Sequence, residues 1–162
     1  MFRFNDRHEA GRLMVALLGE YVGKPGVMVM PVRARAAEVA EGLSEAMGAG
    51  FVAPDADASE LDELSGATVV LVDDGFDSTE RLREAAMVAR GCGAVRVVAA
   101  GPVGTTEACH RIARIVDRCV CLATPTPFHS VAFLYDDSFR AGARAIFAGT
   151  RGIRPRREFA IG

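Results

Sequence analysis

"TVVLVDDGFDSTERLR", residues 68 to 83, is the stretch on which the fold turns. Its first five residues are apolar or β-branched, the composition of a strand buried on both faces. Two aspartates, Asp73 and Asp74, end the run, Gly75 follows, and a helical pattern begins at about Ser78. A buried strand that gives way to a turn and then a helix is one unit of a parallel α/β sheet. Ligands of such sheets lie beyond the carboxyl ends of the strands, where these two acids stand.

The alternation continues in both directions. Upstream, 5–22 has an apolar stripe at helical spacing, with Asp6 and Glu9 spaced as a capping box. "VMVM" at 27–30 is a short apolar strand after the breaker Lys24-Pro25-Gly26, and 33–47 returns to a helix ended by Gly48. "FVA" at 51–53 is a short strand, and 54–66 is acidic and loop-like with one helical turn at 59–64. Downstream, helices are expected at 78–90, 104–115 and 137–148, and strands at 95–100 and 118–123. The pattern predicts an α/β, three-layer domain over 1–162. Its sheet is mainly parallel, of about five strands with helices on both faces, and a basic tail starts from about residue 150.

Length and composition agree with one soluble domain: 162 residues, half of them apolar and a quarter charged. A net charge of -2 excludes a protein built to coat nucleic acid, since phosphate binding requires a clustered positive surface. No apolar run approaches the roughly 18 residues of a membrane span. The charged N-terminus lacks the apolar centre of a signal peptide, so the expected location is cytoplasmic, with the four cysteines reduced. A homo-oligomer is left open.

The chemistry follows from the strand end. Asp73 and Asp74 are suited to accept hydrogen bonds from sugar hydroxyls or to hold a hydrated Mg2+. The helix that starts beyond them offers free N–H groups to an anion, with hydroxyls nearby. A phosphorylated sugar matches both halves of such a site.

"VVLVDDGFDSTERLREA" resembles the ribose-phosphate signature of the type I phosphoribosyltransferases. "FNDRHEAGRLMVALL" and "TPTPFHSVAFLYDDSF" are similar to the opening helix and the segment after the last core strand of a bacterial subgroup of that family. The resemblance covers most of the chain in the same order. It implies a phosphoribosyltransferase-like fold, phosphoribosyl pyrophosphate and a nitrogenous acceptor as substrates, and Mg2+ as cofactor. By the same resemblance Asp73 and Asp74 hold the ribose hydroxyls and, indirectly, the metal. Gly75, Ser78, Thr79 and Arg81 lie along the 5-phosphate turn, Arg33 and Arg35 serve the pyrophosphate, and Phe128 packs against a base. No residue stands out as a general base.

Two turns depart from the family pattern. After the acids, Asp77-Ser78-Thr79-Glu80-Arg81 replaces a turn resembling Ala-Thr-Gly-Ala-Thr, and Asp77 and Glu80 bring negative charge to a phosphate site. After the first core strand, Pro31-Val32-Arg33-Ala34-Arg35 lacks the glycines that let backbone approach a pyrophosphate. Only residues 48–67 connect the second helix to the acid-pair strand, where relatives carry a flexible lid. A catalytically inactive module that binds a nucleotide, a sugar phosphate or a protein is therefore the alternative.

Other features have plainer readings. Cys119 and Cys121 share one strand face near Cys109 and His110, but the spacing matches no zinc knuckle, so buried thiols are expected. His8 and His129 read as exposed, and Arg151, Arg154, Arg156 and Arg157 as a solvated tail. A response regulator requires a strand-end lysine, and the sole lysine, Lys24, precedes a strand.

Overall fold

The computed structural model describes residues 3–128, Tyr135 and residues 158–159. The helix expected at 137–148, His129, and the arginines from Arg151 to Arg157 lie outside the described residues.

Strands β1 (Val27–Pro31), β2 (Gly50–Phe51), β3 (Thr68–Val72), β4 (Arg96–Val103), β5 (Arg118–Ala123) and β6 (Glu158–Phe159) form one sheet in the order β2-β1-β3-β4-β5-β6. The first five are parallel. The two-residue β6, just past the arginines read as a solvated tail, pairs antiparallel with β5 and covers that sheet edge. Alternation along each strand divides the core in two. Val29, Val70, Val72, Val98 and Val120 face helices α1 (Arg7–Met14) and α2 (Ala37–Met47). Val69, Leu71, Val97, Ala99 and Cys119 face α4 (Glu80–Gly91) and α5 (Thr106–Ala113). Each fully buried valine or leucine contributes about 1.5–3 kcal/mol. The three-layer α/β expectation holds.

Element ends differ from the sequence reading for identifiable reasons. The helix expected over 5–22 stops at Met14 and continues as 3-10 turns at Val15–Leu17 and Gly19–Tyr21. Gly19, a poor helix former, sits where the second turn begins. Its start is as expected, with the Asp6 carboxylate accepting the Glu9 N–H at 2.7 Å. The loop at 54–66 contains α3 (Ala58–Leu61), closed by a capping box between Asp57 and Glu60. Strand β4 runs three residues past its expected end. Phe76 explains this, because its side chain fills the space over Gly101 and Gly104: a β-carbon at residue 101 would lie 2.8 Å from the ring, and one at residue 104 would lie 2.8 Å from the Phe76 Cβ. The Phe76 N–H donates to the Val103 carbonyl at 2.8 Å, holding the chain after the acids against the end of β4.

Helices α1 and α2 touch through glycines. A β-carbon at residue 11 would lie 1.9 Å from the Val39 carbonyl oxygen, and one at residue 42 would lie 1.9 Å from that of His8. Only glycine at both positions lets these backbones come so close, and the contact fixes α1 over the site-forming edge.

Candidate functional site

The strand order reverses between β1 and β3: β1 is followed by β2 on one side, and the chain returns to build β3, β4 and β5 on the other. A crevice at such a switch point, outside the carboxyl ends of the strands, is the expected ligand position. Asp73 and Asp74 follow β3 directly there, and Arg33 and Arg35 lie just beyond β1. The Val32 N–H donates to the Val72 carbonyl at 2.9 Å, which sets the two strand ends in register. Arg33 is extended (φ -159°, ψ 163°) rather than helical, and α2 is delayed behind a 3-10 turn at Ala34–Ala36. Its guanidinium spans the crevice.

The side chains meet there as an ion cluster. Arg33 donates from Nε to Asp73 Oδ1 at 2.8 Å and from Nη2 to Asp73 Oδ2 at 2.9 Å, a bidentate pair. The same Nη2 lies 3.7 Å from Asp74 Oδ1 and 3.6 Å from Asp77 Oδ1. Arg35 Nε lies 3.2 Å from Asp74 Oδ2, and Arg7 Nη2, from the first turn of α1, lies 3.6 Å from that oxygen. The Asp74 N–H donates to Asp73 Oδ1 at 2.8 Å. Asp73 is 2% exposed and Asp74 0%.

Burial pushes the Asp73 carboxyl up to about 6, with Arg33 pulling it down and the neighbouring Asp74 raising it further. At pH 7 it is still an anion. For Arg33, burial works to lower the pKa, but the hydrogen bonds of Asp73 and the charges of Asp73, Asp74 and Asp77 outweigh it and the pKa rises. Arg33 is a permanent cation in this position.

The other expected site residues are less gathered. Gly75 is buried, and its backbone is not in the left-handed region, so the turn does not draw on that freedom of glycine. Ser78 is exposed. Thr79, half-buried, is the residue before α4, and its side chain makes no capping hydrogen bond. The expected start of this helix at about Ser78 moves to Glu80. Arg81 turns outward, 3.9 Å from Glu84, and lines a hollow of about 270 Å³ with Pro31, Val32, Pro54 and Leu61. Phe128 is half-buried and packs on the core beneath α1 and α2.

Two contributors were missed in the sequence. Arg7 stacks over the Tyr135 ring, 4.6 Å from its centroid. The Tyr135 hydroxyl, in turn, donates to the Asp74 carbonyl oxygen. Tyr135 also stacks on Phe4, with ring centroids 5.6 Å apart. Both Arg7 and Tyr135 lie in the two outer stretches that carried the family resemblance, which was the available signal.

Mg2+ is implied by the resemblance, and carboxylates are the right donors for it. The arrangement described does not fit the ion. Three guanidinium groups surround the two acids, and a divalent cation would have to displace them against like-charge repulsion. The cysteine cluster gives a plainer result. The hydrogen bond with Cys109 and then burial push the Cys119 thiol up, burial and then Cys109 push that of Cys121 up, and no cluster of three or more histidine, cysteine or acidic side chains able to hold a metal occurs among the described residues. Nor, among those residues, is any helix long and apolar enough to cross a membrane.

No family model matches the chain. Over 68 residues, 42% of the chain, it is 43% identical to a protein of Mycobacterium tuberculosis, strains CDC 1551 and H37Rv, named "Putative phosphoribosyl transferase". That match spans 15% of the length of those relatives. Among solved structures, TT1426 from Thermus thermophilus superposes with a TM-score of 0.68 at 22% identity, over 91% of this chain and 99% of that one. Phosphoribosylpyrophosphate synthetase from Mycobacterium smegmatis superposes with a TM-score of 0.56 at 19% identity, over 86% of this chain and 51% of that one. The chain has the type I phosphoribosyltransferase-like fold and is related, over those 68 residues, to proteins named for phosphoribosyl transfer.

Proposed function

We propose that the chain binds a phosphorylated ribose in the crevice between β1 and β3 and acts as a phosphoribosyltransferase. Its donor is phosphoribosyl pyrophosphate and its acceptor a nitrogenous base. The observation that supports this is the adjacent pair Asp73–Asp74 at the carboxyl end of β3, facing Arg33 and Arg35 across the switch point. In this reading the acids take ribose hydroxyls and the two arginines attract the pyrophosphate. Ser78, Thr79 and the first N–H groups of α4 receive the 5-phosphate. The bond from ribose C1 to the pyrophosphate oxygen breaks, a C1–nitrogen bond forms, and the acceptor's proton leaves to solvent. The protein contributes positioning, and guanidinium charge for the departing anion. Mg2+ belongs to this reading as a companion of the pyrophosphate, not as a resident of the acid pair.

A second reading has its own support. Asp73 already holds a bidentate arginine, Asp74 lies within ion-pair distance of three, and both are almost wholly buried, as expected of a module that kept the fold and lost transfer. Such a module would sense a nucleotide or sugar phosphate, or bind a protein. Calorimetry with phosphoribosyl pyrophosphate and with a nucleoside monophosphate, alongside an assay for pyrophosphate release with nitrogenous acceptors, separates the two. Binding with release supports the enzyme; binding without release for every acceptor supports the module. If neither ligand binds, both ligand-binding readings are wrong.

A further inference from the structure

We propose that Arg33 is a specificity-determining gate: it occupies the acid pair until a ligand offers an anion to its guanidinium and hydroxyls to the acids together. The proposal rests on the ribose-phosphate reading of the crevice and adds to it a residue that selects among ribose ligands. Its basis is the position of the guanidinium. Both Asp73 oxygens are engaged at 2.8 and 2.9 Å, and Asp74 and Asp77 lie within 3.7 Å of the same nitrogen. A sugar hydroxyl approaching Asp73 therefore meets an ion pair held by two hydrogen bonds, and could replace it only with a bond charged on the carboxylate side alone, leaving the guanidinium without its partner. A neutral riboside cannot make that exchange favourably. An anion can, because the arginine that leaves the carboxylate keeps a partner of the same charge.

The local structure allows such a movement without unfolding. The backbone at Val32 is tied to β3, and the 3-10 turn at Ala34–Ala36 begins immediately after Arg33. The exchange is then a rotation of one long side chain. That side chain is 21% exposed, whereas Asp73 and Asp74 below it are almost closed to solvent. Arg35, 51% exposed, stands next to it as a second cation for the incoming anion. Arg7 remains beside Asp74 and against the Tyr135 ring, so Asp74 keeps a cation when Arg33 swings out, and Asp73 takes the ligand's hydroxyls in its place. Asp77, at the rim and 43% exposed, adds a weaker ion pair at 3.6 Å to the bidentate hold of Asp73 on Arg33.

Such a gate makes pyrophosphate and ribose binding mutually favourable, because each stabilises the displaced position of the same side chain, and the coupling must be reciprocal. The test is calorimetric titration of the wild-type chain with ribose 5-phosphate, with and without saturating inorganic pyrophosphate, repeated on Arg33→Gln. The expected result is a gain of about 10-fold in wild-type affinity when pyrophosphate is present. Arg33→Gln, checked for folding by its melting temperature, should bind ribose 5-phosphate more tightly than wild type without pyrophosphate and show no pyrophosphate effect. The wild-type measurement stands by itself if the variant does not fold. Wild-type binding of phosphoribosyl pyrophosphate with no coupling between its two halves overturns the gate and leaves the ribose-phosphate reading intact. Failure of the wild type to bind any of these ligands removes that reading, and the gate falls with it.

Discussion

Arg33 and Asp73, 40 residues apart in sequence, are joined by two hydrogen bonds that link the end of β1 to the end of β3. The pair is structural whatever else it does, because Asp73 is 2% exposed. Removing one partner of a buried pair leaves an uncompensated charge, at a cost of about 3–5 kcal/mol. Arg33→Gln should therefore lower stability to urea by about that amount, reduced by the partial exposure of Arg33. Arg33→Gln with Asp73→Asn should recover part of the loss. A single-variant cost below about 1 kcal/mol would show a surface-like pair.

The glycine contact between α1 and α2 gives a sharper test of packing. A β-carbon at Gly11 or Gly42 would sit 1.9 Å from a backbone oxygen, which no rotamer change can relieve. Gly11→Ala and Gly42→Ala should each cost at least about 2 kcal/mol, toward or beyond the upper range for overpacking. Gly19→Ala, with nothing within 4 Å of its new carbon, is the control and should be close to neutral. Equal, small effects at all three positions would mean that the helices do not cross as described.

Acidity offers a third check. The Asp73 carboxyl is raised from 3.8 to about 6 in the folded chain, burial being the main cause. The folded state then binds this proton more tightly than the unfolded chain does. Its contribution to stability is complete below about pH 4 and is lost as pH rises through 6, a total of roughly 3 kcal/mol. Asp73→Asn lacks the titration. The stability of wild type relative to Asp73→Asn should fall between pH 4 and 7, measured by urea unfolding. A rise over that interval would mean that Arg33 dominates burial.

Much of this architecture was legible in the chain because local patterns and global fold agree. "TVVLV" and "RCVCLA" became β3 and β5 over the same residues, since an apolar run between breakers has little else it can form. Helix ends were less legible, as at Arg33, whose backbone is held out of the helix by a partner 40 residues away. The site was half legible. The acids and both arginines were singled out, but as groups awaiting a ligand. That they pair with one another is a tertiary fact, and so is the arrival of Arg7 and Tyr135 from distant segments. Gly11 and Gly42 carry no mark in sequence that distinguishes them from Gly19.

The turn after the acids yields a prediction about affinity. Asp77 and Glu80 place negative charge where a 5-phosphate would lie, and Asp77 also holds Arg33 at 3.6 Å. Asp77→Ala with Glu80→Ala and Thr79→Gly should tighten binding of ribose 5-phosphate by about 1–3 kcal/mol. Calorimetry on the triple variant decides it. Tight wild-type binding with no gain would show that the turn already works as it stands.

If Asp73 receives the ribose of a phosphorylated ligand, titration of wild type and Asp73→Asn with phosphoribosyl pyrophosphate will show it. The amide keeps the shape of the side chain and one acceptor for Arg33, so melting temperature can confirm that the variant is folded. The expected result is saturable binding to wild type and a loss of at least about tenfold in Asp73→Asn, since a charged acceptor is replaced by a neutral one. Equal affinity in the two folded proteins, or no binding to wild type at millimolar ligand, would contradict it.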